Sequence, residues 1–182
     1  MENIKIQIVE DNLMVLQSLK HLLSSIKEFE IVATSKDLNQ ALNDAREFKP
    51  NILLMDVNMG NKTCYNCLEE ILAVQNETKV IALTSSEDLL VIQKMLKIGA
   101  SGYLTKSVSK ETLIKAINEV LDGKEFICEE VKEVYFKNFI RSGFDEVIPE
   151  TNFDNLKKRV DERINHILEY SEGIKNESIL LN

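Results

Sequence analysis

ILLMD at residues 52–56, continued by VNM to residue 59, sets four consecutive apolar side chains against a closing carboxylate. Side chains alternate between the two faces of a strand, so a run that is apolar at every position belongs to a strand covered on both sides. That is the condition of a central strand in a parallel sheet. Toward the amino terminus, Lys5 to Val9 ends in Glu10 and Asp11, and Glu30 to Thr34 follows it. Toward the carboxyl terminus, Val80 to Leu83 ends at Thr84, and Gly102 to Leu104 runs into Thr105 and Lys106. All five runs are short, and most are apolar on both faces.

Such strands need helices above and below, and the intervening segments have helical spacing. Val15, Leu16, Leu19, Leu22, Leu23 and Ile26 mark a first helix, and Leu38, Ala41, Leu42, Ala45 and Phe48 a second. A third follows Thr63 with Leu68, Ile71 and Leu72; a fourth carries Leu89, Ile92, Met95 and Leu96; a fifth carries Leu113, Ala116, Ile117, Val120 and Leu121. Five strand-helix units imply an α/β fold, a doubly wound five-stranded parallel sheet. Asp37 and Ser109 stand where side-chain oxygens cap the second and fifth helices, and Gly99 and Gly123 stand just past the fourth and fifth.

In a parallel sheet the ends of all strands share one carboxyl edge, where open α/β folds bind ligands. Carboxylates end the first and third strands here, a hydroxyl the fourth and a lysine the fifth. Each alone has a plainer account. Glu10 and Asp11 suit the charge preference of a helix amino terminus, Asp56 a turn, Thr84 and Ser85 a helix cap, and Lys106 an exposed loop. Independent accidents rarely share one edge, so the set reads as a phosphoryl-accepting aspartate with its supporting groups.

Composition narrows the class. The chain has 182 residues, 44% of them apolar, enough for one ordinary domain with an appendage. A net charge of -8 and a pI near 4.9 argue against bulk electrostatic attachment to DNA or anionic lipid. No apolar run approaches the roughly 20 residues of a spanning helix, and the amino terminus lacks a basic segment before a long apolar one, so the expected location is the cytoplasm. The three cysteines, Cys64, Cys67 and Cys128, are an odd number without an export signal, which disfavours structural disulfides. Cys64 and Cys67 form a CxxC, but Cys128, His21 and His166 supply no second paired spacing for zinc, and packing on the third helix is the better account.

IVEDN at 8–12, LLMDVNM at 53–59, ALTSSED at 82–88 and GASGYLTKS at 99–107 together resemble the receiver domains of two-component response regulators, over roughly residues 4 to 122. The resemblance implies a flavodoxin-like sheet of order 2-1-3-4-5, and transfer of a phosphoryl group to Asp56 from a sensor histidine kinase. It implies one Mg²⁺ held by Glu10, Asp11, Asp56 and the backbone carbonyl of Asn58, with Lys106 and Thr84 on the phosphoryl oxygens. It also makes Thr84 and Tyr103 the switch that changes the surface of the fourth helix, fifth strand and fifth helix. The residue types suit that chemistry. Two anions repel as a carboxylate approaches a phosphoryl donor, and a hard cation with oxygen ligands offsets the repulsion.

Two departures from the family pattern stand out. Met59-Gly60-Asn61-Lys62-Thr63-Cys64 replaces Met-Pro and a later glycine, which predicts a flexible loop after Asp56; Ser107 stands where many receivers have proline. The uncharged Asn58 and Ser86 match positions that tune phosphoryl lifetime in the family.

The expected organisation is a receiver over 1–122, a linker helix and loop over 123–150, and a helical tail over 151–182. DGKEFICEEVKEVYFKNFIRSG at 122–143 resembles the connecting segment of the NarL/FixJ subfamily, and RINHILEYSEGIKNESI at 163–179 resembles the start of its helix-turn-helix. The subfamily's recognition helix would lie beyond Asn182, and residues 143–182 carry 9 acidic and 5 basic side chains, so DNA binding by this stretch is doubtful. A helical extension that packs on the receiver or on a second copy stays open beside a shortened DNA-binding domain. The leading expectation is a phosphorylation-controlled signalling protein, not an enzyme, whose output is a protein contact or a homodimer; the alternative is a DNA-binding transcription regulator. An aspartyl phosphatase reading lacks the second acid, because Asn58 occupies its place.

Overall fold

In the computed structural model, residues 3–59, 62–75, 77–85 and 89–133 are described. The expectations for Gly60, Asn61, Ser86 and the chain from residue 134, including His166 and the 151–182 tail, lie outside them. Contacts divide the chain into units Met1–Ser142 and Gly143–Asn182, and the second lies wholly outside the described residues.

The elements in order are β1 (Ile4–Val9), α1 (Leu13–Ser24), β2 (Phe29–Ser35), α2 (Leu38–Phe48), β3 (Ile52–Asp56), β4 (Asn58–Met59), β5 (Lys62–Thr63), α3 (Tyr65–Val74), β6 (Lys79–Thr84), α4 (Leu89–Ile98), β7 (Gly102–Thr105), α5 (Lys110–Leu121) and β8 (Phe126–Ile127). The main sheet runs β2-β1-β3-β6-β7-β8, with every pairing parallel. Its first five strands follow the expected 2-1-3-4-5 order.

The central strands owe their place to composition. All five residues of β3 are buried, as are Val80 to Thr84 of β6. Leu53, Leu54, Met55, Ile81 and Leu83 of the strands, and Leu23, Leu68, Ile71, Ile117 and Val120 of the helix faces, are almost wholly excluded from water. Each such burial is worth about 1.5–3 kcal/mol against exposure. The helices pack α2 on α3 and α3 on α4, while α5 lies along β6, β7 and β8. Among the described residues no helix is long and apolar enough to cross a membrane.

The expected punctuation is present. Asp37 Oδ1 accepts from Gln40 N at 2.9 Å and Ser109 Oγ from Thr112 N at 3.2 Å, each closing the first turn of its helix. Gly99 adopts φ 118°, a conformation that side chains with a Cβ avoid, and it ends α4. The cap of α1 is Asn12, whose Oδ1 accepts from Met14 N and Val15 N. The preceding acidic pair is thereby spared that duty.

Two features depart from the expected fold. The segment after Asp56 is not simply an open loop, because β4 and β5 pair antiparallel and Cys64 N donates to Val57 O at 3.3 Å. The sheet also has a sixth strand where the sequence suggested five. β8 is only two residues long, too short to show a period, but Phe126 N and Cys128 N donate to Ser101 O and Tyr103 O, both at 3.1 Å. Ile127, Cys128 and Val131 are buried there, and residues 129–133 are helical.

Candidate functional site

Four strand ends bring the site together. β1 delivers Glu10 and Asp11, because Glu10 N donates to Ser35 O of β2 and the Asn12 cap then turns the chain into α1. β3 delivers Asp56, and the hydrogen bond from Val57 N to Leu83 O keeps that strand end beside β6. β6 delivers Thr84. β7 delivers Lys106, whose backbone N donates to Thr84 O at 2.8 Å.

Glu10, Asp56 and Thr84 are buried, whereas Asp11 is exposed. One carboxylate oxygen from each of Glu10, Asp11 and Asp56 lies within 4.8 Å of the others, and this is the one such cluster among the described residues. Lys106 Nζ stands 2.8 Å from Asp56 Oδ2 and 2.8 Å from Glu10 Oε2, and donates to Glu10 Oε1 at 2.9 Å. Backbone groups supply the remaining donors. Asn12 N reaches Glu10 Oε1 at 3.1 Å, and Asn58 N reaches Asp56 Oδ1 at 3.1 Å.

The electrostatics follow from burial and pairing. Desolvation pushes the Glu10 carboxyl above its ordinary value, and the Asp56 charge adds to the rise while the hydrogen bond from Lys106 opposes it. Burial works against the Lys106 ammonium, but its hydrogen bonds to Asp56 and Glu10 prevail and hold it above its ordinary value. The donor set is entirely carboxylate oxygen, with net negative charge, and it suits a hard divalent cation.

The structure thus brings together Glu10, Asp11, Asp56 and Lys106. Thr84 ends the neighbouring strand, in register with Thr105, and Asn58 follows Asp56 with an exposed side chain. Tyr103 lies one strand away, paired with Ala82 and Ile127 and wholly buried. The contact of Lys106 with both buried carboxylates at once was not foreseen, since no local pattern couples residues 96 positions apart.

A cleft of about 290 Å³ between the starts of α2 and α3 opens beside Asp11, with Lys36, Leu42, Met59 and Cys67 in its lining. The three cysteines are free and buried. Cys64 precedes α3 and its Sγ lies 3.7 Å from Met95 Sδ, while Cys67 Sγ donates to Leu38 O at 3.3 Å. Burial pushes their thiols up to about 12 and about 11. Both thiols of the CxxC are thus packed into the interior in their neutral form.

Known proteins align with this architecture. The chain is 30% identical over 138 residues to the transcriptional regulatory protein DegU of Brevibacillus brevis, an alignment covering 76% of this chain and 58% of that protein. It is 28% identical over 157 residues to the response regulator GacA of Pseudomonas aeruginosa, covering 86% of this chain and 71% of GacA. In fold, it matches the crystal structure of a two-component response regulator of the LuxR family from Aurantimonas sp. SI85-9A1, with a TM-score of 0.70 at 22% identity over 76% of this chain and 99% of that one. The response regulator receiver domain family matches residues 6–118, which span all four strand ends of the site, and the chain belongs to that family.

Proposed function

We propose that this chain is a phosphorylation-controlled switch in which Asp56 accepts a phosphoryl group from the phosphohistidine of a sensor histidine kinase. A carboxylate oxygen of Asp56 forms the new P–O bond as the P–N bond to the donor imidazole breaks, and the imidazole leaves. One Mg²⁺, held by Glu10, Asp11, Asp56 and the Asn58 backbone carbonyl, would offset the repulsion between carboxylate and phosphoryl oxygens. Lys106 then holds a phosphoryl oxygen as a point charge, and the Thr84 hydroxyl donates to another. The observation that carries this reading is the meeting of Asp56, Lys106, Glu10 and Asp11 at one sheet edge, with carboxylate oxygens within 4.8 Å of one another.

Tyr103 and Thr84 belong to the adjoining strands, so a change at the acceptor has a short route to α4, β7 and α5. We assign residues 1–122 to the receiver and the chain from 123 to output, through a protein contact or a homodimer. The chain is a substrate of the transfer and a switch, and turns nothing over. Transcription control is the second reading, favoured by the name of DegU, and direct DNA contact by residues 143–182 is disfavoured by their excess of acidic side chains.

Incubation with radiolabelled acetyl phosphate tests the first reading. The full chain takes up label only with Mg²⁺ present, and Asp56→Asn takes up none. Labelling of that variant at the wild-type level overturns it.

A further inference from the structure

We infer that Gln7, Ser35 and Asp44 form a buried polar clasp that positions the strand end carrying Glu10. Its link to Mg²⁺ rests on the reading of that edge as a cation site. Gln7 and Ser35 are wholly excluded from water, and Asp44 of α2 is half-buried. Gln7 Nε2 donates to Ser35 Oγ at 3.0 Å and to Ala41 O of α2 at 2.9 Å, and Ser35 Oγ donates to Asp44 Oδ2 at 2.8 Å. One amide thus ties β1 to both β2 and α2.

Position gives these bonds their weight. The wholly buried side chains of α2 are Ala41 and Ala45, whereas α5 buries Leu113, Ile117 and Val120. Two methyl groups supply little burial energy, and little shape to fix where a helix sits on a sheet. Directional bonds from Gln7 and Ser35 supply that definition instead. The β1–β2 ladder also skips a residue at this point, Ile6 pairing with Ile31 and Gln7 with Ala33, so the amide holds a register that the skip leaves loose. From there the path to the site is short. Ser35, whose hydroxyl the clasp holds from two sides, is the ladder partner of Val9 and accepts from Glu10 N at 3.0 Å through its carbonyl. Gln7 Oε1 is buried without a hydrogen-bond partner, so this side chain costs stability that a leucine would not. Gln7 is a poor core filler and a good positioning residue.

Gln7→Leu, Asp44→Ala and Asp44→Asn in the full chain test the inference. They are read by urea denaturation, by hydrogen exchange of the Glu10 amide relative to that of Leu54 in β3, and by calorimetric titration with Mg²⁺. Gln7→Leu is expected to unfold at the wild-type urea concentration or higher, yet to exchange the Glu10 amide about tenfold faster relative to Leu54 and to bind Mg²⁺ about threefold more weakly. Asp44→Ala is expected to speed the same amide, and Asp44→Asn, whose carbonyl still accepts from Ser35, to return it to within about twofold of the wild type. Unchanged Glu10 exchange in both Gln7→Leu and Asp44→Ala overturns the clasp. So does faster exchange that merely tracks a lowered urea midpoint, which would make Gln7 an ordinary core residue. Faster exchange with unaltered Mg²⁺ affinity overturns its role at the site. If the wild type binds no Mg²⁺ while the exchange pattern holds, the cation reading fails and the clasp stands as the positioner of that strand end.

Discussion

Lys106 Nζ lies between the two oxygens of Glu10, 2.9 Å from Oε1 and 2.8 Å from Oε2, joining strand ends 96 positions apart in sequence. Without cation or phosphoryl group, this ammonium keeps two buried carboxylates from facing each other uncompensated. Truncating it to Lys106→Met in metal-free buffer is expected to cost about 2–4 kcal/mol of stability, because the partners are left charged and buried. A double variant with Glu10→Gln recovers part of that loss. Urea denaturation of the single and double variants checks both, and strict additivity would contradict the coupling.

The Asn12 cap gives a local prediction. Its Oδ1 accepts from Met14 N at 3.0 Å and Val15 N at 3.3 Å, satisfying two donors that the first turn of α1 cannot pair. Asn12→Ala is expected to cost about 1 kcal/mol, and Asn12→Ser much less. Thermal melts distinguish them. An Asn12→Ala variant as stable as the wild type would mean that water serves these donors equally well.

Most of this architecture was legible because each element announces itself over a short stretch. The ILLM run, the helical stripes and the caps at Asp37 and Ser109 are local signals, and the structure repeats them nearly residue for residue. The candidate site's edge was legible for a different reason: strand direction alone sends Glu10, Asp11, Asp56, Thr84 and Lys106 to one side. Three things were not readable. The Glu10–Lys106 contact depends on side-chain reach across strands. The β4–β5 pairing comes from a stretch of loop composition. β8 has two residues, and a period of two cannot be seen in a pair.

Gly102 marks a close approach that its strand assignment does not reveal. A Cβ there would stand 3.0 Å from Ile81 Cγ1 and 3.4 Å from Val120 Cγ2, inside the packing of β6 and α5. Gly102→Ala is expected to destabilise by about 1–3 kcal/mol through overpacking. Gly123 has φ 80° but open space around it, so Gly123→Ala suffers backbone strain alone, about 1 kcal/mol. Denaturation midpoints in which Gly123→Ala is the more damaging of the two would refute the packing argument.

The buried thiols predict a pH dependence with a definite sign. Burial lifts Cys64 from 9.0 to about 12 and Cys67 from 9.0 to about 11. A folded value above the unfolded one means that the associated stability is fully present below pH 9 and is lost as pH rises toward 11 and 12. At pH 8 the native thiolate fraction is lower by about 100-fold to 1000-fold, so alkylation by iodoacetamide is slowed at least that much relative to urea-unfolded chain. Fast native labelling of either residue, read by peptide mass, would restore a redox role for the CxxC.

The receiver boundary near residue 122, natural from the last helical stripe, leaves out β8, and the structure attaches a stability difference to that omission. A chain ending at residue 122 loses the hydrogen bonds from Phe126 N and Cys128 N to the β7 edge, and the burial of Ile127, Cys128 and Val131. Area bookkeeping for three apolar side chains puts the loss at about 2–5 kcal/mol relative to a chain ending at residue 133, the upper end being a ceiling because unfolded chains are partly compact. It also bares the strand carrying Tyr103, whose unpaired edge then invites association between copies. Chemical denaturation and light scattering on fragments 1–122 and 1–133 decide the matter. The shorter fragment is expected to unfold at lower urea and to associate at high concentration, whereas equal midpoints and equal monodispersity would mean that β8 lies along the sheet without holding it.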